Sequence, residues 1–174
     1  MPRIRHLVGD LLSAEAQPAR FFVDSNTIGY IVMGTPLGQS YLTLIAELVG
    51  SMPSISVTAR TEILSGLPIL DAGNSLQRQT ASMMRAMLDA FEEVAVDPET
   101  EAVAETLRRE ARRAGHPIGA DHQAKDLLIA STAIRHRSPL ISHNYRDFIN
   151  IDALDLRTLA TGTKSPPRMT WVPQ

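Results

Sequence analysis

Short apolar runs that stop abruptly on polar turns set the rhythm of this chain. Arg20-Phe21-Phe22-Val23, Ser54 to Val57, Val94-Ala95-Val96, Pro139 to Ser142 and Leu154 to Leu159 are such runs. Brief stretches without strict alternation predict strands covered on both faces, as in a parallel sheet. The segments between them carry helix signals. Asp24-Ser25-Asn26-Thr27 is cap chemistry that starts a helix. Gly34 to Gly38 interrupts, and Tyr41 to Val49 resumes helical periodicity. Thr58 is placed to cap a helix from Ala59 to about Ser65, which Gly66 and Pro68 end. Residues 74–92 predict a helix whose core stripe is Leu76, Met83, Met84, Met87, Leu88 and Phe91. Asp97-Pro98 opens another that runs to Ala114-Gly115. The last begins at Asp121 or just after it and continues through about Arg137.

This alternation predicts one α/β domain over residues 20–160, with a mostly parallel central sheet of about five strands. Residues 1–19 form an N-terminal extension, read as an amphipathic helix, and residues 161–174 an irregular tail that Trp171 is placed to dock. No internal repeat or interior linker interrupts the pattern.

Composition narrows the chemistry. The 174 residues are 44% hydrophobic and 21% charged, as in ordinary globular domains. A net charge of −2 gives no global attraction to nucleic acid or anionic membrane, so a polyanion must be held by a local basic patch. Absence of cysteine excludes disulfides, thiolate metal sites and a cysteine nucleophile. No apolar stretch reaches membrane-spanning length, and Gly9-Asp10 splits Leu7-Val8 from Leu11-Leu12, a poor secretory core. A cytoplasmic location is the expectation. G-x-S-x-G, P-loop and G-x-G-x-x-G motifs are all missing, and the five histidines lack zinc-site spacing.

Four acids stand where apolar runs meet turns or helix starts: Asp24, Glu62, Asp126 and Asp147. Singly, each has a plain reading. Asp24 is a helix cap, Glu62 and Asp126 favour a helix dipole, and Asp147 is a turn residue. Jointly, carboxylates gathered at the carboxyl edge of a parallel sheet repel one another, and a hard divalent cation relieves the repulsion. Oxygen donors without His or Cys favour Mg²⁺ or Mn²⁺, and hydrolysis of a phosphodiester suits such a site. Two arginine groups bear on it. Arg108, Arg109, Arg112 and Arg113 read first as a solvated helix face with Glu105 and Glu110 as partners. Arg135, His136, Arg137 and Arg146 form a second cluster, in which Arg146 adjoins Asp147 and is the favoured phosphate contact. His116 and His143 are assigned surface or turn roles.

The motifs and their order resemble the PIN-domain ribonucleases, above all the VapC-like toxins of toxin–antitoxin pairs. Phe22-Val23-Asp24-Ser25-Asn26, then Ile55-Ser56-Val57 with Glu62-Ile63-Leu64-Ser65-Gly66, carry the first half of the likeness. Gly115 to Gly119 with Asp126-Leu127-Leu128-Ile129-Ala130, then Leu140 to Phe148, carry the second. The resemblance implies a three-layer α/β/α domain and Mg²⁺- or Mn²⁺-dependent cleavage of RNA. It also implies inhibition by a small antitoxin, and a homodimer. By it, Asp24, Asp126 and Asp147 are metal ligands, and Glu62 ligates the metal or positions the attacking water. Ser25, Asn26, Ser142 and Asn144 steady the carboxylates. The segment from Gly119 to Asp126 is longer than the family pattern, so Asp121 rivals Asp126, which is preferred because Leu-Leu-Ile-Ala follows it; Asp121 then caps the helix.

Two rivals stand beside this reading. One is a non-catalytic module of the same fold whose acidic pocket receives a basic partner segment. The other is a haloacid-dehalogenase-like phosphatase, which needs D-x-D after the first strand where this chain has Asp24-Ser25-Asn26.

Overall fold

The computed structural model describes residues 20–159 apart from Val49, together with the backbone of residues 169–171. The readings made for residues 1–19, the docking of Trp171 and most of the tail lie outside the described residues. In chain order the elements are β1 (Arg20–Val23), α1 (Ser25–Val32), α2 (Pro36–Ala46), β2 (Met52–Ser56), α3 (Val57–Asp71), α4 (Ser75–Asp89) and β3 (Glu92–Val94). They continue with α5 (Pro98–Ala114), α6 (Ala124–Arg135), β4 (Leu140–Ile141), α7 (Tyr145–Phe148), β5 (Leu156–Leu159) and β6 (Met169–Trp171). Two short 3₁₀ turns, Pro117–Gly119 and Asp121–Gln123, separate α5 from α6.

The sheet order is β3-β2-β1-β4-β5-β6, with the first five strands parallel and β6 antiparallel to β5. The α/β class and parallel sheet expected from the apolar runs are therefore present. The tail, expected to be irregular, carries the edge strand β6. Phe21, Phe22 and Val23 are all buried although successive strand residues point to opposite faces, so β1 is covered on both sides. From β1 the chain builds outward through β2 and β3, then crosses back to place β4 on the other flank of β1. The β1–β4 junction is thus the point where strand order reverses, and its carboxyl edge is a natural place for a site.

Local chemistry explains most boundaries. Asp24 accepts a hydrogen bond from the Thr27 amide and starts α1, and Asp97 does the same for α5 through Thr100. Gly115 closes α5 in the left-handed region at φ 65°. Three expectations are corrected. Ser56 caps α3, not Thr58, and its hydroxyl accepts from the Ala59 amide. Neither Gly66 nor Pro68 ends α3, which runs on to Asp71. Pro68 cannot bond the Leu64 carbonyl, but both residues are exposed, so the missing bond falls on the solvent side while Ile63 and Leu67 stay packed. On α4, Ala81 and Leu88 are buried with Met84, Met87 and Phe91 against them, whereas Leu76 and Met83 point outward.

The α1–α2 hairpin is set by one close approach. A Cβ on Gly38 would lie 2.1 Å from the Tyr30 carbonyl oxygen and 2.8 Å from the Ile31 Cα, both rigid backbone. The Thr35 hydroxyl meanwhile donates to the same Tyr30 carbonyl. Gly38→Ala is expected to destabilise the fold by about 1–3 kcal/mol as α2 is forced off α1. Urea denaturation of the purified variant measures this, and an unchanged midpoint would refute the close-approach argument.

Candidate active site

Asp24 is the first residue after β1 and is 3% exposed. The β1–β4 ladder carries it to the sheet edge, and its own amide donates to the Ile141 carbonyl at 3.1 Å. Its carboxylate accepts from the Thr27 amide at 2.7 Å and from the Ser142 hydroxyl at 2.5 Å. Burial drives its pKa upward, against the pull of those two hydrogen bonds.

Ser142 follows β4 directly and links two acids. Its oxygen accepts the Asn144 amide at 3.0 Å, and the Asn144 side chain donates to Asp147 at 2.6 Å. A second chain runs on the other side. Ser25 donates to Glu62 at 2.6 Å, and Lys125 Nζ lies 3.5 Å from the other Glu62 oxygen. Glu62 projects from the second turn of α3, and Lys125 immediately precedes Asp126 in the first turn of α6. The serine, asparagine and lysine neighbours keep these carboxylates apart yet in one electrostatic neighbourhood.

Asp126 registers that neighbourhood. Its pKa is pushed up to about 6, first by burial and then by the charges of Asp147, Glu62 and Asp24, with Lys125 opposing. Asp147, Glu62 and Asp24 thus each lie within electrostatic reach of Asp126. Asp121 is elsewhere: it opens a 3₁₀ turn, is exposed, and pairs with Arg112. It does not cap α6, because the residue before α6 is Gln123 and contributes no side-chain cap.

Among the described residues, no three acidic or histidine side chains close into a ready metal cage. That is compatible with Mg²⁺, which keeps several waters and takes one or two carboxylates together with substrate oxygens. The donor set fits such an ion in its all-oxygen character and in the repulsion seen at Asp126. Asn26 is exposed at the start of α1.

The two arginine groups fare differently: the α5 stripe is a local helix face as expected, and the second cluster divides. Arg146 is exposed beside the acids and makes no ion pair with another described residue. Arg135, His136 and Arg137 sit at the far end of α6, with Arg135 about 14 Å along the axis from Asp126. Arg135 pairs with Glu99 there, and His136 packs against the Phe22 ring. On α5, Arg108 pairs with Glu105 and Arg112 holds the Gly119 carbonyl, so these arginines are tied into local structure. His116 is buried, accepts from the Ile118 amide and meets the Ile149 carbonyl.

Sequence reasoning missed Lys125 and Tyr30 as parts of this edge and preferred a surface or turn role for His143. The signal for Lys125 was its place next to Asp126. His143 packs edge-on against Tyr30 at 4.9 Å, and its Nδ1 lies 3.1 Å from the Tyr41 hydroxyl. No helix among the described residues is long and apolar enough to cross a membrane.

Comparison with known proteins adds to this geometry. The family model described as "PIN domain" matches residues 21–154. Among solved structures, the chain is similar to VapBC2 from Rickettsia felis bound to a promoter DNA fragment (24% identity, TM-score 0.64, 79% of this chain and 97% of that one). It is similar to VapBC-1 from nontypeable Haemophilus influenzae (19%, 0.64, 79% and 96%) and to VapBC-5 of the VapBC toxin–antitoxin family from Mycobacterium tuberculosis (18%, 0.58, 80% and 98%). At these identities the likeness concerns the fold. No curated protein matches the sequence.

The raised pKa of Asp126 has a stability consequence. Its folded value, about 6, lies above the ordinary 3.8, so the fold binds this proton more tightly than the unfolded chain does. Stability from this group is therefore greatest at low pH and is lost as pH rises between those values. In EDTA, Asp126→Asn is expected to melt about 2–4 °C above wild type near pH 7.5, with the gap closing toward pH 4. Thermal melts across that range test it; a gap that is absent or reversed would contradict the crowding of charge.

Proposed function

The chain belongs to the PIN domain family, and on that premise we propose that it is a divalent-metal-dependent endoribonuclease acting as the toxin of a toxin–antitoxin pair. The observation that supports this reading is that Asp126, half-buried at the start of α6, feels the charges of Asp147, Glu62 and Asp24, while Ser142 and Asn144 link Asp24 to Asp147. Asp24, Asp126 and Asp147 are the residues that would hold Mg²⁺ or Mn²⁺. When bound, the ion neutralises phosphodiester charge and lowers the pKa of water.

The chain's own groups do the rest. Glu62, held by Ser25 and balanced by Lys125, accepts a hydrogen bond from the attacking water and orients it. Ser142 fixes Asp24, and Asn144 fixes Asp147, so neither carboxylate spends freedom on reorganising. Asn26 stands at the rim beside Asp24. Arg146, unpaired among the described residues and lining the cleft beside Asn144, holds a non-bridging phosphate oxygen in this reading, a local cation in a chain of net charge −2.

The partner is proposed to be a small antitoxin, supported by the fold shared with VapBC2, VapBC-1 and the toxin–antitoxin family member VapBC-5. A cytoplasmic setting and a homodimer go with that reading. RNA is the proposed substrate because it is what the family resemblance implies.

Three measurements bear on this. Asp24→Asn is expected to lower RNA cleavage in Mg²⁺ by at least about 100-fold while leaving the circular dichroism spectrum unchanged. Ser142→Ala, which frees Asp24 without removing it, should cost about 10–100-fold. EDTA should abolish cleavage and Mn²⁺ restore it. Wild-type rates in Asp24→Asn, or cleavage indifferent to EDTA, would overturn the proposal. A protein that binds a basic peptide but never cuts RNA would support the non-catalytic module instead.

A further inference from the structure

Beside the acids lies an open cleft of about 460 Å³ bounded by Asn26, Tyr30, His143, Asn144, Tyr145 and Arg146. Its size falls within the range of small-ligand sites, about 300–1,000 Å³. Its lining is distinctive: two phenol rings, an imidazole and two amides, with one cation and no carboxylate. Such a surface suits a neutral, flat, hydrogen-bonding group attached to something anionic. Resting on the nuclease reading above, we propose that this cleft seats one nucleobase of the single-stranded RNA, next to the phosphate held at the acids.

The aromatic wall is built from the core outward. Tyr41 is fully buried, and its hydroxyl meets the Ser142 carbonyl at 3.3 Å and His143 Nδ1 at 3.1 Å. His143 in turn braces Tyr30 edge-on, with ring centroids 4.9 Å apart and planes at 73°. The His143 amide is fixed as well, donating to the Thr27 hydroxyl at 3.1 Å. The backbone of Tyr30 is pinned by the approach of Gly38 and by the Thr35 hydroxyl. Tyr145 packs against the core on its inner side. A ring held this way stacks a base at little entropic cost, and stacking tolerates any base.

Edge readers stand nearby. His143 Nε2 and the Asn26 amide have no hydrogen-bond partner among the described residues. Asn144 donates through Nδ2 to Asp147 and keeps its carbonyl oxygen. These groups match the donors and acceptors of an unpaired base edge. The same Asn144 ties the cleft to the acids, so a nucleotide in the cleft is coupled to the site of cleavage. Arg146 is the lone cation of the lining and faces the linking phosphate.

The test uses full-length Asp24→Asn protein with Mg²⁺ and a dye-labelled single-stranded oligoribonucleotide carrying one abasic site, moved along the strand position by position. Anisotropy titration reads the affinity. An abasic site at one position is expected to weaken binding by about 5- to 100-fold. Adding Tyr30→Ala should weaken binding of the intact strand by a similar factor and abolish the abasic effect at that position, whereas Tyr30→Phe should retain both. Should Tyr30→Ala unfold, Tyr30→Leu replaces it. A flat abasic scan, no RNA binding at all, or an abasic effect that survives loss of the Tyr30 ring would each overturn the proposal. If wild type still cuts RNA in a metal-dependent way after any of these, the nuclease reading stands and the base cleft alone falls.

Discussion

A carboxylate sealed under the end of the central strand is the constraint on which this structure turns. Asp24 is nearly inaccessible, yet it forms no salt bridge with another described residue, and only His143 bears on it as a cation. A charge in that position is tolerated because two donors converge on it, the Thr27 amide from its own helix and the Ser142 hydroxyl from across the sheet. One side chain therefore starts α1 and clasps β1 to the exit of β4, 118 residues away. The carboxylate that caps α1 is also the one proposed to hold the metal, so the fold and the proposed site share one side chain.

From that anchor the remaining acids are arranged with their repulsion left standing. Serine, asparagine and lysine neighbours orient them without neutralising the set, and Asp126 carries the electrostatic cost. On the proposed function, open carboxylates around a buried one would suit a cation that keeps some of its waters. The protein gives up some stability at neutral pH to keep them so, a common trade at functional sites.

Much of this was legible in the chain. Phe21-Phe22-Val23 before Asp24 marked the central strand because unalternating apolar runs are what double burial requires. Asp97-Pro98 and Gly115 bounded α5 by backbone chemistry alone. What escaped was decided by tertiary context. Gly66 and Pro68 read as a stop, but packing of Ile63 and Leu67 carries α3 past them. Leu76 and Met83 read as core because periodicity cannot say how wide a helix face its neighbours cover. Arg135 and Arg146 look clustered in sequence, but α6 points one toward the amino edge and the turn after β4 returns the other to the acids. Tyr30, Tyr41 and His143 meet only because β4 inserts beside β1, and contacts across about a hundred residues leave no local trace.

At one border the sheet ends in β3. Glu92 and Glu93 occupy this short, exposed strand, and Arg20 and Arg60 reach out to them from β1 and α3. An incoming β-segment would have to lay its backbone along a fence of guanidinium-bound carboxylates. Sheet-to-sheet extension is discouraged on that flank, so β3 is an unfavourable place for a second chain to add a strand.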